Sequence, residues 1–123
     1  MKAVESTFKY GGYYKIDVDS KVSILAVNTM YLNKKNDPST QGTEALDIIA
    51  WMRSQLSLAK QEGRKYILTN HIYPGAKYDS KSKDLLNSTY NEEYFAILSE
   101  FRDSIIIEVS AHDHYSDVRY HTD

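Results

Sequence analysis

The alternation of apolar and polar positions divides the chain into short strand-like segments and two longer helical ones. Val22 to Asn28 is apolar on both faces, which is typical of a strand in the interior of a sheet. Between about Thr43 and Glu62, apolar residues recur every three or four positions, which predicts an amphipathic helix. Gly63 ends this helix, because glycine tolerates the left-handed conformation at a helix C-terminus. The predicted strands are Tyr13 to Val18, Val22 to Asn28, Lys65 to Thr69, Ser104 to Val109 and Val118 to His121.

A second amphipathic helix is predicted from Thr89 to about Arg102. Thr89 and Glu92 form a capping-box pattern at its start. The predicted order is therefore β-β-α-β-α-β-β, and apolar strands that alternate with amphipathic helices indicate a layered α/β fold. With 123 residues, the chain is long enough for one domain, 1–123, and too short for two.

Composition narrows the function classes without selecting one. The chain is 41% hydrophobic with a formal net charge of −2, so nothing points to nucleic acid as a partner. It has no cysteine, which excludes disulfides and thiolate metal sites. No apolar run reaches the roughly 20 residues that span a bilayer. Met1 to Tyr10 lacks the apolar stretch of a secretory signal, so we expect the signal of an exported parent to lie upstream; the sequence leaves the compartment undetermined.

Three histidines follow the ends of two predicted apolar strands. His71 comes after Lys65 to Thr69, and His112 and His114 come after Ser104 to Val109. In open α/β sheets, ligand crevices form beyond the carboxyl ends of the strands. In extended backbone, residues two apart point to the same side, so His112 and His114 would face one volume. Imidazole is a ligand for zinc, iron and manganese. The residues alone leave both a metal site and incidental surface histidines open.

Two short motifs resemble those of the calcineurin-like metallophosphoesterases. Asn70 to Gly75 (NHIYPG) resembles their GHIPPG-type motif, especially that of the acid sphingomyelinase-like branch, and Ala111 to His114 (AHDH) resembles their GHxH motif. The resemblance extends over roughly residues 8 to 121. It implies the C-terminal half of a layered α/β/β/α sandwich. Asn70 and Ala111 depart from the family pattern, since each stands where the motif has glycine.

The resemblance also implies a metal site and a reaction. His71 and His112 would bind the second of two divalent cations, and His114 the first; zinc is the expected metal, with iron or manganese as alternatives. Such metals activate water for attack on a phosphate ester, for example a sphingomyelin-like phosphodiester or a phosphomonoester. The family supplies its bridging carboxylate and leaving-group histidine from N-terminal DxH, GDxx(D/H) and GNH(D/E) motifs, which are absent from this sequence. No catalytic residue is therefore assigned, and we expect weak metal binding and little or no turnover.

Further hypotheses concern the surroundings of the site. Tyr73 would line a substrate pocket, and Lys77, Lys81 and Lys83 would attract a phosphate or lipid headgroup. Asn87 begins a glycosylation sequon, which matters if the parent is secreted or lysosomal/vacuolar, as the resemblance implies.

Two alternatives to an enzyme remain. One is a non-catalytic fragment or pseudoenzyme acting as an interaction or structural module, and the other is an unrelated small α/β binding domain with incidental histidines. As half of a sandwich, the isolated chain is also expected to be marginally stable or to self-associate through exposed strand edges.

Overall fold

The computed structural model describes residues 2–37, 39, 42–77 and 83–120. The α/β class predicted from the sequence is confirmed, with helices packed on a four-stranded sheet. In chain order, the elements are helix α1 (Lys2–Gly11), strands β1 (Tyr14–Asp17) and β2 (Val22–Ala26), a 3-10 turn (Thr29–Leu32), helix α2 (Glu44–Glu62), strand β3 (Lys65–Thr69), helix α3 (Ser88–Glu100), a second 3-10 turn (Arg102–Ser104) and strand β4 (Ile105–Val109).

The strands lie in the order β1-β2-β3-β4. β1 and β2 form an antiparallel hairpin, whereas β2, β3 and β4 run parallel. The parallel connections are long because each returns through a helix, α2 between β2 and β3 and α3 between β3 and β4. As a result, the carboxyl ends of β3 and β4 lie side by side at one edge of the sheet.

The two faces of the sheet differ in burial. On one face, Leu25 and Leu68 are fully buried, in a core to which α2 and α3 contribute apolar residues. On the opposite face, Ile16, Ile107 and Val109 remain 47%, 53% and 52% exposed. The sheet thus presents an apolar surface on the side away from its core.

A β-bulge interrupts the pairing of β3 with β4. Tyr66 pairs with Ile105 but Ile67 pairs with Ile107, so Ile106 is an extra residue in β4. Beyond the bulge, Glu108 lies opposite Leu68, which is buried.

The structure differs from the sequence prediction at both ends and at one helix cap. α1 was not predicted; it is joined to α2 by the Tyr10 hydroxyl, which donates to Asp47 at 2.5 Å. Residues 118–120 form no strand, so the final β of the predicted order is wrong for these residues, and His121 lies outside the described residues. α3 is capped by Asn87, whose side chain accepts a hydrogen bond from the Thr89 backbone NH, rather than by Thr89 itself.

Candidate metal-binding site

The continuations of β3 and β4 are held together beyond the sheet. The Asn70 backbone NH donates to the Val109 carbonyl at 3.2 Å, and the Ala111 NH donates to the His71 carbonyl at 3.1 Å. These bonds extend the parallel pairing past the last residues of both strands. They hold the two histidine-bearing segments next to each other at the carboxyl ends of the strands.

His71 and His112 are in direct contact. The His71 Nε2 and His112 Nδ1 atoms are 3.2 Å apart, and the two rings are nearly perpendicular, at 88°. Two nitrogen ligands of one tetrahedral zinc, each about 2.0–2.1 Å from the metal, lie about 3.3–3.4 Å apart. The observed separation therefore fits two ligands of one ion. Without metal, the same spacing is that of a hydrogen bond between one protonated and one unprotonated ring nitrogen.

His114 does not join this pair. Within residues 2–37, 39, 42–77 and 83–120, no group of three or more His, Asp or Glu side chains lies close enough to hold a metal ion. The sequence interpretation assumed extended backbone at His112 and His114, but the backbone is not extended there. His112 has φ 82° and His114 has φ 58°, so both adopt left-handed conformations, each costing roughly 1–2 kcal/mol for a non-glycine residue.

Asp113, between these histidines, is engaged by residues of the loop after β3. The Tyr73 hydroxyl donates a hydrogen bond to its carboxylate, and the Lys77 ammonium lies 3.6 Å from its second oxygen. The hydrogen bond from Tyr73 holds the pKa of Asp113 below its usual value, and Lys77 adds to this effect. Burial, together with the bond to Asp113, raises the pKa of Tyr73.

Arg119 covers one face of the Tyr73 ring. Its guanidinium carbon is 4.0 Å from the ring centroid, and one Nη donates to the Tyr73 hydroxyl at 3.1 Å. Tyr73 thus has one ring face and its hydroxyl in contact with protein groups. Of the loop lysines, Lys77 pairs with Asp113, and Lys81 lies outside the described residues.

A partly buried polar cluster includes Asn70, the residue that precedes His71. The Asn70 side-chain NH₂ donates to the Tyr94 hydroxyl at 2.9 Å and also to Glu108, and the Tyr94 hydroxyl donates to Glu108 at 2.8 Å. Burial raises the pKa of Glu108, although the two donated hydrogen bonds oppose that effect. Burial also raises the pKa of Tyr94, with the Glu108 charge as the second cause. The cluster joins α3, β4 and the residue preceding His71.

Sequence reasoning missed most of these surrounding residues. Glu108 had one available signal, since it is the single charged residue in the apolar run of β4. Asn70 was noted only as a departure from a glycine motif, and nothing local to Arg119 or Tyr94 points to the site.

Comparison with known proteins identifies relatives over most of the chain. Sphingomyelinase phosphodiesterase C of Dictyostelium discoideum is 28% identical over 110 residues, covering 88% of this chain and 24% of the relative. Endopolyphosphatase of Neurospora crassa is 29% identical over 125 residues, covering 93% of this chain and 16% of the relative. Acid sphingomyelinase-like phosphodiesterase 3b of Mus musculus is 23% identical over 115 residues, covering 91% and 25%. No protein-family model matches the chain.

By name, these relatives are hydrolases of phosphate esters or polyphosphate. The resemblance to the calcineurin-like metallophosphoesterases, and within them to the acid sphingomyelinase-like branch, is thereby confirmed. The chain spans between about a sixth and a quarter of the length of these curated relatives. In the described part of the chain, no helix is long and apolar enough to cross a bilayer.

Proposed function

We propose that this chain contributes part of the metal site of a phosphate-ester hydrolase, with His71 and His112 as ligands of one divalent cation. The observation that carries the proposal is the 3.2 Å separation of their ring nitrogens at the carboxyl edge of two parallel strands. Zinc is the expected ion, with iron or manganese as alternatives, because imidazole suits all three. We expect a phosphodiester, a phosphomonoester or a polyphosphate as the substrate class, by analogy with the relatives.

The chemistry divides between the ion and the protein. A bound cation would polarise the phosphoryl group and activate water. The two imidazoles would hold the ion, and the strand-end hydrogen bonds hold their backbones in register. The hydrogen bond from Asn70 to Glu108 ties the residue before His71 to β4. His114 lies outside this pair, and its assignment to a second cation rests on the family resemblance alone.

The site is incomplete within the described residues. Two neutral imidazoles balance none of the charge of a dication, and no carboxylate joins them. We therefore expect weak binding of metal and slow or no hydrolysis by the isolated chain. The same observation favours the second candidate, a non-catalytic fragment or pseudoenzyme that acts as a structural or interaction module. For a parent that resembles its relatives, we propose a secreted or lysosomal/vacuolar location, in which case the Asn87 sequon becomes relevant.

Zinc titration against a chromophoric competing chelator tests the proposal. His71→Ala and His112→Ala should each lower zinc affinity by at least tenfold, since each removes one of two ligands. His121→Ala serves as the control, because that histidine is not assigned to the site. His114→Ala distinguishes a two-histidine from a three-histidine site.

The outcome is read against both candidate functions. Equal zinc affinity in the wild type, His71→Ala and His112→Ala would refute the metal site. Rapid hydrolysis of a chromogenic phosphodiester by the isolated chain, abolished by His114→Ala, would refute the view that the site is only partial.

A further inference from the structure

Asp113 links the two chain segments that carry the histidines. Its side chain is 9% exposed, and its two carboxylate oxygens face Tyr73 and Lys77, both in the loop after β3. Asp113 itself lies in the segment after β4, immediately beyond His112. The carboxylate therefore joins the loop that carries His71 to the loop that carries His112, through side chains other than the imidazoles.

Arg119, which follows His112 in the chain, adds further contacts to this link. Besides its contacts with Tyr73, one Nη donates to the Ala76 carbonyl at 2.7 Å, and Nε donates to Asp117 at 2.9 Å. The guanidinium thus contacts the loop after β3 at two points while its own backbone lies in the tail after β4. Such a planar multi-donor contact is geometrically specific to arginine and is lost in lysine.

The backbone of His112 requires external support. A histidine at φ 82° is in a region that L-residues avoid, and such conformations persist only where surrounding contacts impose them. The adjacent residue, Asp113, is held by contacts with Tyr73 and Lys77. We propose that Asp113, Tyr73 and Arg119 form a positioning clamp that keeps His112 turned toward His71. This inference rests on the metal site proposed above, and the clamp residues are not among its proposed ligands.

Zinc affinity measures whether the clamp positions the ligands. Tyr73→Phe and Asp113→Ala should lower affinity by about tenfold or more, in the range found when residues that orient metal ligands are removed. Asp113→Asn should retain more affinity than Asp113→Ala, because an amide oxygen still accepts from Tyr73. Tyr10→Phe is the matched control, since it deletes another phenol–carboxylate hydrogen bond, to Asp47, between α1 and α2. It should leave affinity within twofold of the wild type.

A metal-free measurement separates the clamp from the proposed function. In the zinc-free protein, NMR cross-relaxation between ring protons of His71 and His112 reports their contact directly. The signal should be present in the wild type and Tyr10→Phe and weakened in Tyr73→Phe and Arg119→Lys. Unchanged ring contact and unchanged zinc affinity in the clamp variants would overturn the clamp while leaving the metal site intact. If those variants lose the ring contact and the wild type does not bind zinc, the clamp is upheld and the metal site is refuted.

Discussion

Two fully buried tyrosines offer a direct test of the polar cluster formed by Asn70, Tyr94 and Glu108. Tyr66 and Tyr94 are both 0% exposed. The Tyr94 hydroxyl donates to Glu108 and accepts from Asn70, whereas in the described part of the chain the Tyr66 hydroxyl has no hydrogen-bond partner. Substitution by phenylalanine deletes the same hydroxyl oxygen at each position. Comparison of the two variants therefore isolates the contribution of the hydrogen bonds made by the Tyr94 hydroxyl.

The expected changes in the free energy of unfolding have opposite signs. Tyr94→Phe removes two hydrogen bonds at about 1 kcal/mol each, so it should destabilise the protein by about 2 kcal/mol. Tyr66→Phe removes a buried hydroxyl that loses its hydration and gains no partner, so it should stabilise by about 1 kcal/mol. The two variants should therefore differ by about 3 kcal/mol, although their compositions are identical.

Urea unfolding measures this difference. Trp51, the one tryptophan, packs against Tyr13 with ring centroids 4.7 Å apart, so its fluorescence reports loss of the core. With a urea dependence of about 1–3 kcal/mol per molar, the midpoints of the two variants should be separated by roughly 1–3 M. Equal midpoints, or a stabilising Tyr94→Phe, would refute the assigned hydrogen bonds.

Three further changes test other features. Burial raises the pKa of Glu108, so the folded protein keeps this proton to a higher pH than the unfolded chain does. Stability therefore falls as pH rises between the pKa values of the unfolded and folded states. In urea unfolding measured between about pH 4 and pH 8, this fall should be absent from Glu108→Gln. Gly63→Ala should destabilise by about 1 kcal/mol in thermal melts, because φ is +66° while no atom lies within 4 Å of the added Cβ; an unchanged melt would refute conformational strain as the reason for glycine. Ile107→Lys, at a 53% exposed position of β4, should shift any oligomer toward monomer in sedimentation velocity; a wild type that is monomeric at high concentration would refute self-association.

Local patterns predicted the parts of the fold that depend on nearby residues. β3 occupies the predicted span Lys65–Thr69, and α2 ends before Gly63 in the left-handed conformation expected of a helix terminus. Both features follow from periodicity and from the conformational freedom of one glycine. α1 was missed although Lys2–Gly11 is amphipathic. Its hydrogen bonds to Thr43 and Asp47 join residues that are distant in sequence, so local patterns do not reveal them.

The candidate site likewise has features that local sequence patterns could predict and others that they could not. The positions of His71 and His112 at strand ends could be predicted from apolar runs, and their contact follows from parallel pairing of β3 and β4. The absence of His114 from this pair could not be predicted, because the prediction assumed extended backbone, whereas His112 and His114 have φ 82° and 58°. Sequence spacing predicts side-chain direction for extended or helical backbone and does not reveal a positive φ at a non-glycine residue.

The extra isoleucine in β4 has a consequence for how this strand can vary. In a regular ladder, Ile107 would stand opposite Leu68 and Glu108 opposite Thr69, so an aliphatic side chain would face Tyr94 and the carboxylate would point to the opposite side. Deleting Ile106 would keep the observed partners, because Ile67 would still face Ile107 and Leu68 would still face Glu108 in a ladder without a bulge. The bulge therefore lets β4 carry one more residue while Glu108 stays on the Tyr94 side of the sheet. We expect this strand to tolerate the loss of Ile106, and we expect an insertion after Ile107 to disturb the contact between Glu108 and Tyr94.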